Sequence, residues 1–247
     1  MHNEQQEEAL GGGRLSRGVV RVGNTVRRPS PAGSDFTVKL LLHLQASGFS
    51  GAPAYLGHDA QGRHMLTYVE GWVPTTFQHF SDAQVVAAGS LLRAFHDATR
   101  SSELVTGDNV VCHHDVGPNN LVFQNEVPIA FIDFDMSAPG PALDDLAYMA
   151  WTWCVSSKPT RAPATVQARQ VRLLADAYGL PAKERTHILD AMLKCQDRNI
   201  QFWKDRLSAR EGMPETSDAQ ITDRINWSIR EREYTESQRA LLLEALR

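Results

Sequence analysis

Between Val110 and Asp135 the chain runs apolar, polar, apolar and acidic in quick succession, and this order limits the possible folds more than any other stretch. Val110-Val111-Cys112 and Leu121-Val122-Phe123 read as strands enclosing a polar loop, His113 to Asn120. Ile129-Ala130-Phe131-Ile132 reads as a further strand ending in Asp133-Phe134-Asp135. Asp115 and Asn120 are five residues apart with Gly117-Pro118 between them, so the loop can curl and bring both side chains to one point. Asp133, at the end of the hairpin strand, can reach the same point. Three converging oxygen ligands suit a hard cation such as Mg²⁺, which takes one or two carboxylates and completes its shell with water and substrate phosphates.

Other readings of these residues compete. An Asp-Asn loop is commonly only a turn, because both side chains bond local backbone. A His beside strands is commonly structural, and His114 is expected to be so. His113 and Asp115 with the distant His187 could form a two-His-one-carboxylate iron site. That site needs a run of strands after the motif, and the chain turns helical instead.

The order His113-x-Asp115, then Asn120, then Asp133 after the next strand is that of kinase-type phosphoryl transfer. In that scheme Asp115 orients or accepts the proton of an attacking hydroxyl, Asn120 and Asp133 hold magnesium, and His113 buttresses the loop. With the later Asp144-Asp145-Leu146-Ala147, these residues resemble the aminoglycoside phosphotransferase and choline kinase-like family, in particular its small trifolitoxin-immunity-type members. The resemblance implies an α+β, two-lobed, protein-kinase-like fold with a small β-rich N-terminal lobe and a larger helical C-terminal lobe. It also implies Mg²⁺-dependent transfer of a phosphoryl group from ATP or GTP to a small-molecule hydroxyl acceptor, and a bracing role for Asp145.

The expected division is a frayed tail at residues 1–9, a nucleotide-binding lobe at 10–72 and a catalytic, substrate-binding lobe at 73–247. Gly11, Gly12 and Gly13 with Ser16 could form a loop over the phosphates, since backbone N–H groups approach an anion closely only where side chains are absent. Val19 to Val22, Gly23-Asn24 and Thr25 to Arg28 read as a hairpin. By resemblance its second strand carries a phosphate-binding lysine; this chain has Arg27 and Arg28, with the same charge and a wider fork. Residues 35–47 read as a helix in which the family keeps a glutamate. No Glu occurs there, and Asp35 is the substitute at hand. Two strands follow at 54–59 and 64–69, and the resemblance makes Tyr68 and Val69 part of the hinge whose backbone meets the adenine. The missing Lys–Glu pair supports an alternative from another class, a kinase-fold immunity or binding protein without turnover.

Ser81 and Gln84 form a capping box for a helix to about Arg100, with Val85, Ala88, Leu92 and Phe95 as its buried stripe. Further helices are expected from Ala142 and over 163–178, 184–209 and 216–246. The last, with Arg224, Arg230, Glu231, Arg232 and Glu233, should present a solvated face. Trp151, Trp153, Phe202, Trp203 and Trp227 suit core packing or the wall of an acceptor pocket. Glu211, Glu215, Asp218 and Asp223 offer carboxylates to a polycationic acceptor such as an aminoglycoside, though such residues are ordinary on a helical surface.

Net charge decides what else the chain can bind. At −4, from 25 basic and 29 acidic residues, it shows no basic stripe of the kind that follows a phosphate backbone, so nucleic acid is not an expected partner. Cys112, Cys154 and Cys195 fit neither a disulfide framework nor a zinc site. The acidic, polar start differs from a signal peptide. No apolar run approaches the roughly 20 residues that span a bilayer. A cytoplasmic protein without a membrane partner is the expectation.

Overall fold

A computed structural model describes residues 6–10, 18–30, 34–107, 109–209 and 217–247. The fold is α+β, an antiparallel sheet followed by a mostly helical part. The sheet is built from β1 (Glu8–Ala9), β2 (Val20–Val22), β3 (Thr25–Arg28), β4 (Tyr55–His58) and β5 (His64–Thr67), in the order β1-β2-β3-β5-β4. The expected hairpin forms with Val22 opposite Thr25 and Gly23 at φ 58°, a conformation that glycine adopts without a Cβ clash. The frayed-tail expectation needs correction: Glu8 and Ala9 pair with Arg21 and Val20, and Glu7 reaches Arg63, so order begins before residue 10. Gly11, Gly12, Gly13 and Ser16 lie outside the described residues.

Helix α1 (Asp35–Ala46) buries Thr37, Leu40, Leu41 and Leu44 and stops where Gly48 takes φ 76°. It is tied to the rest of the chain at two points. His43 Nε2 lies 2.8 Å from the Ala98 carbonyl, and the Thr37 hydroxyl donates to the Phe134 carbonyl. Beyond the sheet, Gly71 at φ 145° passes so close to the hairpin that an added Cβ would lie 2.3 Å from the Phe123 oxygen. Trp72 and Phe123 exchange both backbone hydrogen bonds there. Gly71→Ala is therefore expected to destabilise the fold by about 2 kcal/mol or more, combining strain and clash. Urea unfolding checks this, and a loss under about 0.5 kcal/mol would show that the crossing relaxes freely.

Helix α2 (Asp82–Thr99) begins at the expected capping box, with Ser81 Oγ and Gln84 Oε1 each accepting the other residue's backbone N–H. Its stripe of Val85, Ala88, Leu92 and Phe95 is fully buried. Two small antiparallel pairs carry the polar loop. β6 (Val110–Cys112) pairs with β9 (Ala138–Gly140), and β7 (Leu121–Gln124) pairs with β8 (Val127–Phe131). Helix α3 (Ala142–Met149) runs into a wide π-helical turn over Ala150–Cys154, closed by Val155 N–H on the Ala150 carbonyl. The turn sends both Trp151 and Trp153 into the core, with at most 1% of either exposed.

Three long helices follow in the order expected, α4 (Ala164–Tyr178), α5 (His187–Ala209) and α6 (Asp218–Ser237), with α4 closed by Gly179 in the left-handed conformation. Two corrections belong here. The single helix expected over 216–246 is broken at Gln238, and α7 (Arg239–Leu246) turns so that Leu242 and Leu246 are buried. Neither Gly nor Pro marks that break; the gain from burying the two leucines sets it. Glu231, expected on a solvated face, is 1% exposed and accepts from both the backbone N–H and the hydroxyl of Ser157. The three cysteines are buried and free. Among the described residues no helix is long and apolar enough to cross a membrane.

Candidate active site

The loop after β6 is held from beneath by one carboxylate. Asp145, fully buried near the start of α3, accepts the backbone N–H of His113 at 2.6 Å on Oδ2 and that of His114 at 2.8 Å on Oδ1. His96 of α2 adds its Nε2 at 3.1 Å and is itself fixed by the Tyr178 hydroxyl at 2.8 Å. Burial alone would raise the Asp145 pKa, but the His96 hydrogen bond and the other donors outweigh it and hold the carboxyl below the ordinary aspartate value. This tether keeps His114 at φ 62°, which a non-glycine residue adopts only under constraint.

His113 is buried against Phe134, with ring centroids 4.7 Å apart. Its Nε2 faces the Ile132 carbonyl at 3.0 Å, while Nδ1 accepts the Asp115 N–H at 3.3 Å. One neutral tautomer, protonated on Nε2, satisfies both contacts. The ring is therefore committed to contacts within the loop and with the Ile132 carbonyl.

Asp115 Oδ1 accepts a hydrogen bond from the Tyr148 hydroxyl at 2.9 Å. Burial first, and the Asp115 charge second, push the Tyr148 phenol well above its usual pKa, so it stays a donor. The Gly117-Pro118 turn brings Asn120 back, as the spacing required: its Nδ2 donates to the Asp115 carbonyl at 2.9 Å. That leaves Asn120 Oδ1, which accepts only a long contact from Asn119 Nδ2, as an oxygen ligand. Ile132 N–H donates to the Asn120 carbonyl, so the residue before Asp133 is locked to the same loop. Asp133 then turns into the left-handed region at φ 65°. Burial, and next the neighbouring Asp135 charge, raise its pKa. A cation there would relieve that cost, so oxygen ligands and electrostatics both fit a hard metal ion.

Arg27 and Arg28 alternate across β3 and face opposite ways. Arg27 sits 3.9 Å from Asp59, away from the loop. Arg28 alone reaches the site, hydrogen-bonded to Asp135 and 3.8 Å from Asp133. Among the described residues its buried Nε has no partner. Asp35 is exposed at the start of α1, so the carboxylate that answers the strand cation is Asp135 rather than a residue of the helix. A double-mutant cycle on Arg28→Ala and Asp135→Ala should give a coupling of about 1 kcal/mol in unfolding free energy. Additive effects would mean that the pair does not hold the two elements together. The Tyr68 N–H is given to the Asn24 carbonyl at 2.8 Å, and its ring is covered by Arg21. Val69 is half-buried beside it.

Among the described residues the one group of three metal-ligating side chains of the His, Cys, Asp and Glu type is His96, Cys112 and Asp145. Asp145 is already filled by N–H donors, so this cluster reads as loop support, and His187 does not join His113 and Asp115.

Residues 99–187, which include this whole loop, match the model of the phosphotransferase enzyme family. The chain is also 30% identical over 265 residues to the trifolitoxin immunity protein of Rhizobium leguminosarum bv. trifolii, covering 96% of this chain and 97% of that protein. The chain belongs to the phosphotransferase enzyme family. Solved structures agree on the fold. A choline/ethanolamine kinase family protein from Mesorhizobium loti superposes with a TM-score of 0.65 at 18% identity, covering 98% of this chain and 92% of that one. The GDP complex of aminoglycoside 2'-phosphotransferase-IIIa does so at 0.61 and 15%, over 96% and 93%.

Three residues of this phosphotransferase-family site escaped the sequence reading. Tyr148 lies three residues after Asp145 on α3, a spacing that puts both on one face, and could have been found that way. His96 was visible at the end of α2, but its partner is 49 residues away. Asp135 was read only as part of an acidic end.

Proposed function

We propose that the protein transfers the γ-phosphoryl group of ATP or GTP to a hydroxyl of a small molecule. The observation that supports this reading is one braced loop that carries Asp115 and Asn120 and is hydrogen-bonded to the residue before Asp133, with Arg28 of β3 3.8 Å from Asp133. Asp115 would orient the acceptor hydroxyl and take its proton. Tyr148 would fix the Asp115 carboxylate, His113 and Asp145 would keep the loop in register, and Arg28 would meet phosphate oxygens. Asn120 and Asp133 would hold Mg²⁺, which supplies neutralisation of the phosphate charge. Acceleration would rest on positioning and electrostatics rather than covalent chemistry. Nucleotide would bind between residues 10–72 and 73–247, with the backbone at Tyr68 and Val69 beside its base.

A second reading has a specific observation behind it. Arg28 bonded to Asp135 beside the metal-site aspartate, together with the likeness to an immunity protein, suits a nucleotide- or toxin-binding protein without turnover. Calorimetry of ATP and GTP, with and without Mg²⁺, on the wild type and Asp133→Ala separates the two. Magnesium-dependent binding that weakens at least about tenfold in the variant, together with release of labelled γ-phosphate by the wild type, supports phosphoryl transfer. Binding without release of that label, or no nucleotide binding by the wild type, supports the binding-protein reading.

A further inference from the structure

Beside the loop, Phe77, Trp151 and Trp227 wall a recess whose remaining lining includes Lys158, Arg161 and Glu231. Trp151 and Trp227 stack with centroids 5.2 Å apart and planes 18° apart, and Phe77 leans on Trp227 at 5.9 Å. The recess adjoins the chemistry on two sides. A Cβ added at Gly117 would lie 3.6 Å from the Phe77 ring, and Trp151 meets Tyr148, whose hydroxyl bonds Asp115.

Among the described residues two of its donors are unspent. Trp151 is 1% exposed and its indole N–H has no hydrogen-bond partner; Arg161 Nη1 is buried and likewise unpaired. A buried indole N–H normally finds an acceptor, and an unmet one costs about 1–3 kcal/mol. Arg161 spends its Nη2 on the Trp153 carbonyl, and among the described residues it has no carboxylate within ion-pair distance. Glu231 is the nearest candidate to balance it, but that carboxylate already accepts from the Ser157 N–H and hydroxyl. The recess leaves about 10 Å³ for the centre of a water-sized group, room for a single oxygen.

We propose that this recess is the acceptor subsite, and that it takes a carbonyl or carboxylate oxygen of a flat, hydroxyl-bearing small molecule, held by the Trp151 indole N–H and Arg161 and covered by Phe77 and Trp227. The role as acceptor subsite rests on the phosphoryl-transfer reading; the ligand chemistry does not. Two cations and one committed carboxylate disfavour a polycation at this position. Of the carboxylates expected to attract one, Asp218 and Asp223 are exposed on α6 and do not line the recess, and Glu211 and Glu215 lie outside the described residues.

Three probes that differ in one group test this: 3-(hydroxymethyl)benzoate, 3-(hydroxymethyl)benzamide and 3-(hydroxymethyl)benzylamine, each titrated into the full chain by ligand-observed NMR and then incubated with ATP and Mg²⁺. The benzoate and the amide should bind at least about tenfold tighter than the ammonium probe. Trp151→Phe, which keeps a ring, and Arg161→Gln should each weaken benzoate binding about tenfold while unfolding remains cooperative. Equal or tighter binding of the ammonium probe overturns the inference. So does benzoate affinity unchanged in both variants, which would leave the two donors to a resident water. Donor-dependent preference with no transfer to any probe supports the ligand chemistry and counts against phosphoryl transfer; transfer without that preference does the reverse.

Discussion

Asp145→Ala is expected to cost about 3–5 kcal/mol of stability, an effect out of proportion to one side chain. The carboxylate is fully buried and is the common acceptor for the His113 N–H, the His114 N–H and His96 Nε2. Removing it strands three buried donors at once, each with a desolvation penalty of about 1–3 kcal/mol, partly relieved by water entering the gap. For a chain of this size the loss corresponds to a fall in melting temperature of roughly 10 °C. The pH dependence carries a sign. The Asp145 carboxyl lies below its unfolded value, so its contribution is complete above an ordinary aspartate pKa of about 3.9 and is lost as pH falls through the depressed folded value. The deficit of the variant against wild type should therefore hold steady from pH 7 to about pH 5 and narrow in more acid solution. Urea unfolding across that range decides it. A deficit below about 1 kcal/mol, or one that grows on acidification, would show that Asp145 does not hold the loop.

The elements most legible in the sequence were those specified locally. The Gly23-Asn24 turn set the register of β2 and β3, the Ser81–Gln84 box set the start of α2, and the Gly117-Pro118 turn returned Asn120 to Asp115, because each signal lies within a few residues of its effect. Resemblance pointed to Asp145 as a brace. What it could not supply were the partners across the chain. Strand alternation separates Arg27 from Arg28, yet which of them meets Asp135, 107 residues away from Arg28, depends on how β3 lies over the loop. Glu231 sits in a run of charges that reads as solvated, and its burial is decided by Ser157, 74 residues earlier. The break at Gln238 carries no helix-breaking residue, because packing of Leu242 and Leu246 sets it. These are tertiary decisions overriding local preference.

Asp115→Asn should lower phosphoryl transfer by about 10²- to 10⁴-fold and leave magnesium-dependent nucleotide binding within about threefold of wild type. The amide is chosen because it keeps the shape and an oxygen for the Tyr148 hydroxyl to bond, so the loop should remain as built. What it removes is the charge and the ability to take a proton from the acceptor. Tyr148→Phe makes the complementary change: the carboxylate stays but loses the protein donor that fixes it, and a smaller fall of about tenfold is expected. The order of the two effects matters. If Asp115 takes the proton, the asparagine variant must be the more damaged; if its role is only to anchor Tyr148 and the α3 end of the loop, the phenylalanine variant should be at least as damaged. Turnover of γ-labelled nucleotide, to water or to an accepted hydroxyl, provides the measurement. Wild-type turnover in Asp115→Asn would remove Asp115 as the proton acceptor, and with it the phosphoryl-transfer mechanism built on that residue.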